Sequence, residues 1–174
     1  ATLRRASEMN HTRALVFVSV LVACVGCDHA TKYAATALID PARVISLASG
    51  ALRFELAYNP GAFLGLGAEL PAWVRTFLLG GLVPIGLLLV VAGVLRSAAT
   101  TPFQLAALGL IVGGGLGNWI DRILHDGNVT DFVSLGLGPL RTGIFNFADV
   151  AVMVGMLWLV VASRSATDAE REPG

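Results

Sequence analysis

The sequence predicts a mainly α membrane protein, with four transmembrane helices and a small extramembrane β-element between the first and the second. Three observations predict it. The 174 residues are 55% hydrophobic and only 14% charged, with a mean hydropathy of +0.74, whereas soluble domains carry about 25% charged residues. Four apolar stretches approach or reach the about 20 residues that a bilayer requires. The ionisable residues lie near the ends of these stretches, not in their middles. The chain is read as a single membrane domain, 1–174. Its formal net charge is zero, so no broad basic surface exists and no nucleic-acid partner is expected.

The first span is placed at 14–35. Its apolar run begins at Ala14, after Arg4, Arg5 and Arg13. Taken alone it has the form of a signal peptide, and Leu21-Val22-Ala23-Cys24 reads like a lipobox. A true lipobox predicts a soluble domain after Cys24, and three further apolar stretches argue against that. Cys24 and Cys27 lie three apart on one helix, a spacing without disulfide geometry. They are read as two buried free thiols.

The chain then changes character. Pro41, Gly50, Pro60 and Pro71 punctuate it, and a β-element is placed at 43–58 with a turn at Ala48-Ser49-Gly50. The second span, 74–95, opens at Arg75 and closes before Arg96. Pro84 and Gly86 predict a kink, which membrane helices tolerate when a neighbour satisfies the freed carbonyl. The third span, 103–120, carries Gly109, Gly113 and Gly117 at every fourth position, a smooth stripe for close helix packing. The fourth is placed at 146–161, and 163–174 is expected to be a disordered polar tail. Four spans put both termini on one side, and the dense N-terminal arginines favour the cytoplasm.

Ionisable residues beside membrane spans are functional candidates by default. Asp28 and Lys32, which close the first span, Asp121 and Arg122 at the end of the third, Asp131 in the loop that follows, and Asp149 in the first turn of the fourth all fall on one predicted side. Asp28 and Lys32, the only lysine, are spaced i, i+4 in the favourable order for an ion pair. That pair reads equally as a structural anchor. Asn118 and Arg122 share a helix face, where an amide and a guanidinium can hold a carbonyl or carboxylate. Asn146 can cap the fourth helix, with Asp149 favoured by the helix dipole. If Asp131 and Asp149 meet, they cannot both ionise easily and share a proton. Such a pair can activate a water, one member as base and the other as acid. The scattered histidines and the two cysteines form no ligand set, so no metal is expected. A serine with Lys32 as base is the rival nucleophile. Ser19, Ser46, Ser49 and Ser134 are available, but none lies in a GxSxG motif. A proton-relaying transporter would need acids at mid-span, and the spans carry none there.

Five stretches, DHATK (28–32), NPGAF (59–63), GGGLGNWIDR (113–122), VTDF (129–132) and FNFAD (145–149), resemble the lipoprotein signal peptidase family, also called signal peptidase II, in their order and spacing. The resemblance covers about 28–161. It implies a four-helix aspartic endopeptidase of the bacterial inner membrane. Such an enzyme removes signal peptides from diacylglyceryl-modified prolipoproteins, cutting just before the lipidated cysteine, and uses no cofactor. By motif position, Asp131 and Asp149 are the implied catalytic pair. Asp28, Lys32, Asn59, Gly114, Asn118, Arg122, Asn146 and Ala148 match positions that support the site or hold substrate. The resemblance further implies a monomer whose other partner is membrane lipid, with cytoplasmic termini and an active site near the periplasmic face. His29 stands where the family commonly has Gln, and the segment between Arg122 and Asp131 is about one residue longer than usual.

Overall fold

The computed structural model describes residues 2–96 and 100–171. In chain order it contains α1 (Thr2–Leu38), β1 (Ile45–Leu47), β2 (Leu52–Asn59), α2 (Ala72–Arg96), α3 (Pro102–Leu124), β3 (Val129–Leu137), β4 (Leu140–Arg141) and α4 (Phe147–Arg171). His11–Leu38, Ala72–Arg96 and Pro102–Leu124 are each long and apolar enough to cross a membrane, while the apolar part of α4, Phe147–Ala162, is shorter. The fold is that of a mainly α membrane protein.

Helix α1 runs past the expected end at 35, because the good helix formers of 30–38 continue unbroken until Asp40 and Pro41. Asp28 and Lys32 therefore sit on a helix face, not at its end. Phe17, Cys24, Asp28, Lys32 and Ala35 are its buried positions, continued by Ile39 just past its end, a stripe turned toward α3. The expected glycine stripe of α3 forms this contact. A Cβ at Gly113 would stand 2.7 Å from Cys24 Cβ, and one at Gly117 would stand 2.6 Å from Asp28 Oδ2. Cys24 is thus packed within a continuous helix, which removes the lipobox reading. Cys27, expected to be buried, is exposed, since three residues of helix turn it off the buried stripe. On its other side α3 meets α4, where a Cβ on Gly114 would stand 2.5 Å from the Ala148 carbonyl oxygen. The start of α3 is fixed by Thr101 and Gln104 in a capping box, with Pro102 in the first turn.

Helix α2 lies outside these three and has no buried residue in its apolar window. Residues Thr76–Leu82 widen into π-helical turns. Pro84 has no N–H for the Gly80 carbonyl four residues back, and Trp119 Nε1 donates to that oxygen at 3.0 Å. A neighbouring helix thus supplies the missing donor.

The β-element is larger than the sequence suggested. It is a four-stranded antiparallel sheet in the order β1-β2-β3-β4, and half of its strands come from between α3 and α4. Asp131, expected in a loop, lies on β3 opposite Ala57, beside a bulge in β2 between Phe54 and Ala57. Phe132 packs with Ala35 and Ile39 beneath the sheet. Residues 163–171, expected as disordered tail, continue α4 as helix, in keeping with their Ala, Glu and Arg content. The end of that expected tail, 172–174, lies outside the described residues.

Candidate active site

The buried charged residues among those described are Asp28, Lys32, Asp121, Asp131 and Asp149, and hydrogen bonds join them into one cluster at the sheet end of the bundle. Three helices and one strand supply them. No such group lies at mid-span in α2, so the charges form a site at one end and not a relay across the bundle.

Asn146 stands at the centre. Its Nδ2 donates to Asp131 Oδ1 at 2.6 Å and to Asn118 Oδ1 at 3.0 Å. Its Oδ1 accepts the Asp149 N–H at 3.0 Å, and its own N–H faces Asp149 Oδ2 at 3.3 Å. These two bonds cap α4 reciprocally. The cap that starts the helix thereby fixes Asp149 and reaches across to Asp131. The free oxygen of each carboxylate has its own amide. Asn59 Nδ2 donates to Asp131 Oδ2 at 2.9 Å, and Asn118 Nδ2 donates to Asp149 Oδ1 at 2.9 Å. Burial is the main cause that pushes Asp131 from the usual carboxylate range up to about 7, and the Asp149 charge adds to it. The amides of Asn59 and Asn146 act in the opposite sense.

Lys32 supports this arrangement from α1. Its Nζ pairs with Asp28 Oδ2 at 2.9 Å and Asp121 Oδ2 at 3.3 Å, and donates to Asn118 Oδ1 at 2.9 Å. No serine is among its partners. Ser134 bonds to Glu55 and Arg141 instead, so the serine–lysine alternative has no geometry here. Asp28 Oδ1 accepts the Ala148 N–H at 3.0 Å, which ties α1 to the first turn of α4. Ala148 thus serves through its backbone and Gly114 through its lack of a side chain.

Arg122 reaches the loop after β2, donating from Nη2 to the Gly61 carbonyl at 2.6 Å and from Nη1 to the Asn118 carbonyl at 3.2 Å. Gly61 is required by close approach, for a Cβ there would stand 2.7 Å from the Leu66 oxygen. Beside Asn118, Arg122 and Asp149 opens a cavity of about 270 Å³, otherwise lined by apolar groups that include Phe63, Leu79, Val83, Met153 and Met156. It joins Asp149 to the apolar flank of the bundle.

Asp121 carries more of the site than its place in the chain indicated. It is 2% exposed, and its Oδ2 accepts the Thr130 N–H at 2.6 Å. Its position three residues after Asn118, on the same helix face, was the available signal, whereas its pairing with Lys32 is visible only in the fold. Among the described residues no group of His, Cys, Asp and Glu is placed to hold a metal ion.

Comparison with known proteins is consistent across sequence and structure. The profile of the family Signal peptidase (SPase) II matches residues 20–164. The chain is 34% identical over 160 residues to the lipoprotein signal peptidase of Rhodococcus jostii (strain RHA1), covering 88% of this chain and 74% of that one. It is 36% identical over 148 residues to that of Azoarcus sp. (strain BH72), covering 83% and 81%. A solved bacterial membrane enzyme superposes with a TM-score of 0.74 at 26% identity, covering 94% of each chain.

Proposed function

The chain belongs to the signal peptidase II family, proteases of lipoprotein processing, and from that premise we propose that it is an aspartic endopeptidase with Asp131 and Asp149 as its catalytic pair. Its proposed substrates are diacylglyceryl-modified prolipoproteins, cut just before the lipidated cysteine. The observation that carries the reading is the shared partner: Asn146 donates to the Asp131 carboxylate from its side-chain amide and to the Asp149 carboxylate from its backbone N–H, and each carboxylate has a side-chain amide of its own besides.

In this reading a water lies between the two carboxylates. One ionised aspartate takes a proton from it as it attacks the scissile carbonyl, and the protonated partner serves the departing amine. A group whose ionisation lies near neutrality, as for Asp131, suits both halves of that exchange. Arg122 and the Asn59 loop position the peptide beside the pair. The apolar cavity receives the lipid-facing part of the substrate, which enters sideways from the bilayer, so that its acyl chains never leave an apolar medium. No metal or organic cofactor takes part. Asp28, Lys32 and Asp121 act at one remove, through Ala148, Asn118 and Thr130.

We further propose that the protein lies in the inner membrane as a monomer, with both termini cytoplasmic and the aspartates near the periplasmic face. The test is cleavage of a lipidated prolipoprotein by the purified protein, beside its Asp131→Asn and Asp149→Asn variants. Full cleavage by either variant would remove the dyad assignment.

A further inference from the structure

Asp121 touches both arms of the candidate site. Its Oδ2 accepts the N–H of Thr130, which precedes Asp131, and faces Lys32, which in turn holds Asn118 against Asp149. Its other oxygen, Oδ1, lies 2.9 Å from His125 Nδ1. That same nitrogen is 3.1 Å from the Asp121 carbonyl oxygen. Both neighbours are acceptors, so Nδ1 carries the hydrogen and points inward, which leaves Nε2 as the outer ring nitrogen. The His125 side chain is 43% exposed. Water therefore reaches a ring that is bonded inward to the buried cluster.

We infer that His125 is a positioning residue for the aspartate pair, clamping Asp121 from the solvent side and setting by its charge how readily the pair ionises. The inference rests on the peptidase reading above. The sign follows from Coulomb attraction. Asp28 and Asp121 are anions and Lys32 and Arg122 are cations beside the pair, with Arg122 interacting with Asp121, Asp131 and Asp149. A cation on His125 adds to the positive side of this balance and makes ionisation of the pair easier. A neutral His125 does not. The other groups around the ring are Tyr58 of β2, with ring centroids 6.3 Å apart, and Asp126, next in the chain. Lys32 reaches the same carboxylate from α1.

The experiment is the pH dependence of kcat/KM for cleavage of a diacylglyceryl-modified prolipoprotein in detergent, from about pH 5 to about pH 9, the range that brackets imidazole titration. Wild type, His125→Gln and His125→Lys are compared, each first shown to be folded. His125→Gln removes the cation and is expected to move the acid limb upward by about half a pH unit, with KM changed less than the limb. His125→Lys restores a permanent cation and returns the limb to its wild-type position. An unmoved limb in His125→Gln, or a loss that is uniform across pH, would overturn the inference while leaving the peptidase intact. A folded wild type that cleaves nothing would overturn the peptidase reading itself, and this one with it.

Discussion

Asn146 uses every polar atom of its side chain on the site, with Nδ2 on Asp131 and Asn118, and Oδ1 on the N–H of Asp149. Replacing it with Ala frees Asp131 Oδ1 and strips the side-chain cap from the Asp149 N–H, while the backbone N–H of residue 146 stays on Asp149 Oδ2, and cleavage should fall roughly a hundredfold, the scale of an ångström-sized misplacement. Asp131 makes a second prediction at this scale. Burial pushes its carboxyl from the usual carboxylate range up to about 7, so the folded state holds that proton more tightly than the unfolded chain. Its contribution to stability is present at low pH and is lost as pH rises through that window. Asp131→Asn cannot ionise, so it should lower cleavage on the order of a thousandfold while raising the thermal midpoint at pH 8 relative to wild type. A midpoint that drops at pH 8 would contradict the assignment of a costly buried charge. Lys32→Met should act the other way, destabilising by about 3–5 kcal/mol because it strands two buried carboxylates. Denaturation in detergent reads both. The acids themselves were visible in the sequence, because charge is scarce in so apolar a chain. Their bonding was not, since Asn146 reaches partners 15 and 28 residues away.

At the scale of elements, the glycine stripe of α3 brings α1 close enough for Asp28 to reach the N-terminus of α4. A methyl at Gly117 would meet Asp28 Oδ2 at 2.6 Å. Gly117→Ala should therefore push Asp28 off Ala148 and Lys32, at about 1–3 kcal/mol of stability, with activity lost alongside. Trp119→Phe should cost about 1–2 kcal/mol, because it leaves the Gly80 carbonyl without a donor inside the bundle. Periodicity was enough to place the helices and the stripe, since each is a local pattern. Strand β3 was harder. Val129, Thr130, Phe132 and Val133 have strand-forming side chains, but β3 becomes a strand by pairing with β2, whose residues lie 70 or more positions earlier. Local pattern does not report that pairing. It left Asp131 in a loop when it is held on a sheet.

For the whole molecule, the sheet and the aspartates share one end of the bundle, opposite the end where α2 closes at Arg96 and α3 opens at Pro102. In a protein lacking Cys24 and Cys27, a cysteine at Glu69 should react with a membrane-impermeant maleimide from the outer face, and one at Thr101 should not. The reverse pattern would invert the proposed topology. The central claim is more direct to test. Purified protein in detergent is given a diacylglyceryl-modified prolipoprotein, beside Asp131→Asn and Asp149→Asn, and release of the signal peptide is followed. The account predicts cleavage by wild type and none above background by either variant. Undiminished cleavage by a variant, or none by folded wild type, would contradict it.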